Sequence, residues 1–142
     1  MKTSFIFLVV LLGLIASREN VMAREMVHDH TSIHGGQVGM SGDFHIELVI
    51  KNRQEYVLYV TYFSRKPVDI SNAKGVVIIN PDGPSQEELP LTTDKVSQEF
   101  LVANGKPRKE GEEVYVSAKI ELPGETALFV EFQETIGNSS GH

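Results

Sequence analysis

The feature that most constrains this chain is a repeat of two. In "FHIELVI", Phe44 to Ile50, apolar Phe44, Ile46, Leu48 and Ile50 alternate with His45, Glu47 and Val49. Successive side chains of an extended strand point to opposite faces, so this spacing puts one face in a core and the other away from it. The pattern returns in "EVYVSAKIEL", Glu113 to Leu122, where Val114, Val116, Ala118, Ile120 and Leu122 share a face. "YVLYVTYF", Tyr56 to Phe63, is rich in β-branched and aromatic residues, which favour strands. Further short strands are predicted over Val76–Ile79, in "ELPLTT" and "SQEFLVA", and over Thr126–Phe132. Turn signals separate them, among them Pro81-Asp82-Gly83 and Pro123-Gly124-Glu125. No segment beyond the first residues repeats with a helical period. The expected fold is an all-β, antiparallel, immunoglobulin-like sandwich of about seven strands, with a small β-barrel as the alternative.

The start of the chain reads differently. Lys2 precedes the apolar run Phe5 to Ala16, and "VMA" ends at Ala23. This is the layout of a secretory signal peptide, and twelve apolar residues are too few to span a bilayer comfortably. The expected organisation is therefore a signal peptide over 1–23 and a flexible His-rich segment over 24–36. A sandwich domain over 37–136 and a disordered tail over 137–142 follow. The destination is the periplasm or the exterior, with no membrane attachment after the leader is removed. The chain has no cysteine, which fits a bacterial periplasm better than a disulfide-stapled secreted domain. A formal charge of −6 argues against nucleic acid as the partner and suits cations.

Four of the five histidines fall in "MVHDHTSIHGGQVGMSGDFHIE", Met26 to Glu47. Neutral imidazole ligates zinc and copper well. His28 and His30 are two residues apart, as are His45 and Glu47, so each pair can face one way in extended chain. Gly35 and Gly36 let the backbone bend after His34. Met40 offers a thioether suited to Cu(I). The candidate metal ligands are His34, His45 and Glu47, with His28, His30 and Met40 in addition. Glu47 can also act one step removed, orienting an imidazole. A hairpin turned at Ser41-Gly42 would set His45 opposite Val38 or Gly39 and leave His34 near residue 49 or 50. A regular ladder then keeps His34 and His45 apart unless the glycine pair breaks it. The bland alternatives are a solvated His45 and methionines that only pack.

The stretch "HGGQVGMSGDFHIELVI" followed by "YVLYVTYFSRKPVDISNAKGVVIINPDG" resembles a group of small exported bacterial domains. These occur alone or attached to periplasmic adaptor proteins of heavy-metal efflux systems. The resemblance implies a β-sandwich with a role in metal handling, and it falls on His34, Gly35, Gly36, His45 and Glu47. One departure stands out: an acidic residue that often follows the second strand is replaced here by Tyr62, Ser64 and Arg65.

No cysteine, "GxSxG" or phosphate-binding glycine loop provides a catalytic centre, so no enzyme activity is expected. "KPRK", Lys106 to Lys109, is offset by Glu110, Glu112 and Glu113. The sequence thus predicts an exported copper- or zinc-binding protein of periplasmic metal handling, with an efflux adaptor or other envelope protein as a possible partner. The competing reading is a non-catalytic interaction module of the cell envelope whose histidines are incidental.

Overall fold

The computed structural model describes residues 31–137. The expected leader, His28, His30 and the residues after 137 lie outside them. Eight strands form, and no helix appears among the described residues. They are β1 (Gln37–Ser41), β2 (Phe44–Lys51), β3 (Glu55–Tyr62), β4 (Lys74–Ile79), β5 (Glu87–Thr93), β6 (Leu101–Asn104), β7 (Glu113–Glu121) and β8 (Leu128–Thr135). All pair antiparallel, in the order β1-β2-β3-β6-β5-β4-β7-β8.

This is the barrel alternative rather than an immunoglobulin-like sandwich of separate sheets. The reason lies in β5. Its first part, Glu87 to Leu91, pairs with β4, and its end, Thr92 and Thr93, pairs with β6. Pro90 has no amide to give a ladder, so pairing towards β6 begins only beyond it. One strand therefore serves both halves, and the sheet wraps continuously from β1 round to β8. The segment after β3 runs back beside it as a loop, with an isolated bridge between Thr61 and Pro67 and the Val68 amide donating to the Val60 carbonyl at 3.3 Å.

The ends of the sheet meet without a ladder. The Phe129 amide donates to Ser41 Oγ at 3.0 Å. Val130 and Phe132 of β8 pack where Gly39 of β1 has no side chain, and a Cβ there would lie 2.5 Å from Val130 Cγ2. The alternating positions fill the interior as predicted. Ile46, Leu48, Tyr56, Leu58, Val77, Ile79, Val114, Val116 and Ile120 are buried there with Leu101, Leu128 and Phe132.

A second buried group lies among the loops. The Arg108 side chain is 8% exposed and reaches Glu87 at 2.6 Å and Glu112 at 3.2 Å. Within "KPRK", Arg108 is paired with two carboxylates, Glu87 and Glu112. It ties the loop before β7 to the start of β5.

Candidate functional site

The site sits on the outer face of β2. Gly42 and Asp43 form the two-residue turn of the first hairpin, so Met40 pairs with His45 and Val38 with Glu47. The turn lies one residue later than expected, and His45 is opposite Met40 rather than Val38 or Gly39. The ladder stops at Gln37, opposite Leu48. Beyond it Gly36 passes so close to the Leu48 carbonyl that no side chain would fit, and Gly35 has φ +81°. The glycine pair does break the ladder, and the chain crosses back over β2.

That crossing buries what alternation assigns to the outer side. His45 and Glu47 are 3% and 5% exposed. Both point away from the interior, yet neither faces water. Phe63 stacks on His45 with ring centres 5.5 Å apart. Residues 31–36 cover Glu47 as a strap, and Arg65 steadies its start by donating to the Thr31 carbonyl.

The Glu47 carboxylate gathers the strap around itself. Oε1 accepts from the Ser32 hydroxyl at 2.6 Å, the His34 amide at 2.8 Å and the Gly36 amide at 2.9 Å. Oε2 accepts from the Ile33 amide at 3.2 Å and lies 3.0 Å from His34 Nδ1. Burial pushes this carboxyl up. The hydrogen bonds from the Ser32 hydroxyl, the Gly36 amide, and Nδ1 and the backbone amide of His34 outweigh that and hold it at about 2. Glu47 is therefore a carboxylate at neutral pH, an acceptor only, so His34 Nδ1 must carry the proton. In a neutral His34 ring the lone pair is then on Nε2. The ring lies flat on Tyr59, with centres 3.6 Å apart and planes 4° from parallel. Tyr59 is the residue of β3 paired directly with Glu47. The imidazole stays partly open to solvent, at 37% side-chain exposure.

The sequence-predicted ligands thus fall into distinct places. His34 and Glu47 come together. Met40 and His45 form a neighbouring cross-strand pair, on the β1 side of β2, whereas the His34 ring lies on its β3 side. Strands two apart are roughly 9 to 10 Å from each other, so Met40 and His34 do not converge. Glu47 has both oxygens engaged by five donors, which suits an orienting group rather than a ligand. His28 and His30 lie outside the described residues. Among the described residues, no group of three or more His, Cys, Asp or Glu side chains could hold a metal ion. Sequence reasoning passed over Ser32 and Tyr59 as site residues. Neither carried a signal in the sequence, because what pairs them with Glu47 and His34 is the strap that folds over β2 and β3.

No family model matches the chain, and no curated protein matches it. Among solved structures it is similar to the 2.09 Å crystal structure of a DUF4426 family protein from Pseudomonas aeruginosa PAO1. That likeness has a TM-score of 0.51 and 22% sequence identity, over 70% of this chain and 96% of the other. It supports the all-β fold.

Proposed function

We propose that this is an exported, non-catalytic β-barrel protein that binds a copper or zinc ion through His34 in periplasmic metal handling. One observation carries the reading. A buried carboxylate accepts a hydrogen bond from Nδ1–H of a partly exposed imidazole and leaves the lone pair to Nε2, an arrangement that recurs behind metal-bound histidines. A single imidazole does not make a metal site. His28 and His30, six and four residues ahead of His34, are the imidazoles nearest in sequence that would complete one. In this reading Glu47 orients, while Met40 and His45 take no part. The leader-like first 23 residues support export, and the resemblance to domains of heavy-metal efflux systems supports the role.

The test is native mass spectrometry of residues 24–142 with Zn(II), Cu(II) and Cu(I). One retained ion per chain, lost in His34→Ala, is the expected result. No retained ion, or retention indifferent to His34, sinks the metal reading.

A second reading is an envelope interaction module. Tyr115 and Phe129, 52% and 63% exposed on the outer faces of β7 and β8, favour it. A partner that survives chelator and is lost in a Tyr115→Ser, Phe129→Ser variant would establish it.

A further inference from the structure

We infer that the outer face of β7 and β8 carries a pocket for an arginine side chain of a partner protein, with an apolar residue of the same partner segment packing on Phe129; this rests on the second reading above. The turn after β4 builds the pocket. The Asn80 backbone amide donates to the Tyr115 carbonyl at 2.8 Å, and Asn80 Oδ1 accepts from the Tyr115 amide at 3.0 Å. These two bonds fix Pro81 beside Tyr115. Here lies a depression of about 210 Å³, walled by Pro81, Tyr115, Ser117 and Glu131 over the buried Val116 and Phe132. Sites for whole small molecules run from about 300 Å³ upwards, so this one suits a single long side chain.

The walls select the chemistry of that side chain. Pro81 and Tyr115 offer apolar surface to a methylene stem, and Tyr115 also offers an aromatic face to a cation. Glu131 stands opposite Ser117 in the ladder and supplies the negative charge. Among the described residues no ion pair involves it. Lys119, diagonal to it, lies 3.4 Å from Glu121 instead. Gln133, opposite Tyr115, donates to Glu113, on the side away from Glu131. A guanidinium suits this set better than an ammonium, because it stacks on aromatic rings and forms a forked pair with a carboxylate. Phe129 sets the second contact. It is two residues from Glu131 on the same face of β8, about 7 Å along the strand, and is 63% exposed. Side chains two apart on an extended partner segment have that same spacing. A second copy of this chain is the poorer occupant, since a formal charge of −6 makes copies repel.

The experiment is an NMR titration of ¹⁵N-labelled residues 24–142 with the capped peptide acetyl-Gly-Arg-Gly-Leu-Gly-amide. Its citrulline counterpart keeps the shape and loses the charge. Saturable shifts are expected at the Asn80, Tyr115, Ser117 and Glu131 amides. Kd should be about two- to fivefold higher for the citrulline peptide, and likewise for the arginine peptide with Glu131→Gln or Tyr115→Ser. Glu99→Gln removes the same charge from the loop between β5 and β6 and should bind as the parent does. Shifts that do not saturate, or that fall elsewhere on the barrel, overturn the inference. So does a Glu131→Gln chain that binds the arginine peptide as tightly as the parent. A chelator-resistant partner lost in Tyr115→Ser, Phe129→Ser but kept in Glu131→Gln leaves the docking face standing and removes the arginine pocket. A partner indifferent to both changes removes the interaction reading and this inference together.

Discussion

His34 Nδ1 lies 3.0 Å from Glu47 Oε2, across thirteen positions of chain, and this pair joins the strap to the barrel. Glu47 is held at about 2 in the folded protein against an ordinary 4.5. A depressed carboxyl contributes stability that is complete above its unfolded value and is lost as pH falls through the folded one. The contribution, about 3 kcal/mol, should be intact at pH 7 and disappear between about pH 4.5 and 2. Urea denaturation across this range should show the loss in the parent. Glu47→Gln should be less stable at pH 7 and lack that part of the pH dependence. A variant as stable as the parent at pH 7 would contradict the clasp.

Gly36→Ala tests the strap without touching its charge. Its new methyl would collide with the Leu48 carbonyl, and the strap must lift. We expect a cost of about 1 to 3 kcal/mol, with faster hydrogen exchange at the Ile33, His34 and Gly36 amides. Amides in the middle of β2 and β3 should stay protected. Uniform loss of protection would mean that the strap and the barrel open as one.

The Arg108 cluster predicts an asymmetric outcome. Removing the guanidinium leaves Glu87, 9% exposed, without its ion partner, which costs about 3 to 5 kcal/mol. Arg108→Met should therefore lower the midpoint of thermal unfolding sharply. Combining it with Glu87→Gln should recover part of the loss, because the stranded charge is gone. Strictly additive losses would show that the pair is not coupled.

How much of this was legible depends on periodicity. Strands β2 and β7 announce themselves through alternation and β3 through its β-branched and aromatic residues, and their inward residues fill the interior. β1 reads as "QVGMS", with a glycine where β2 has isoleucine, so no period marks it as the strand that nearly closes a barrel. Its glycine is explained only by Val130 and Phe132, ninety-odd positions later. The histidine cluster drew attention to the right stretch. Alternation could not show that Glu47 would be covered, because it reports which face a residue takes and not what lies on that face. The sharing of β5 between two neighbours was likewise hidden, although Pro90 stood at the place where pairing changes.

Substitution at Gly39 checks the closure directly. Gly39→Val places a branched side chain against Val130 and Phe132, and overpacking of this kind costs about 1 to 3 kcal/mol. Gly39→Ala should cost less. Equal stability of Gly39→Val and the parent, measured by urea denaturation, would show that β1 and β8 do not pack as described.

The seam between β1 and β8 has a further consequence, for association between copies. Two strand edges that would otherwise template fibrils are turned towards each other and held by one hydroxyl and a side-chain fit. Opening that fit exposes both edges together while every ladder in the molecule stays whole. A copy opened in this way presents one edge to the copy before it and one to the copy after it. Runaway sheet growth would thus begin from a nearly native molecule, and Gly39 is the residue whose small size keeps that route shut.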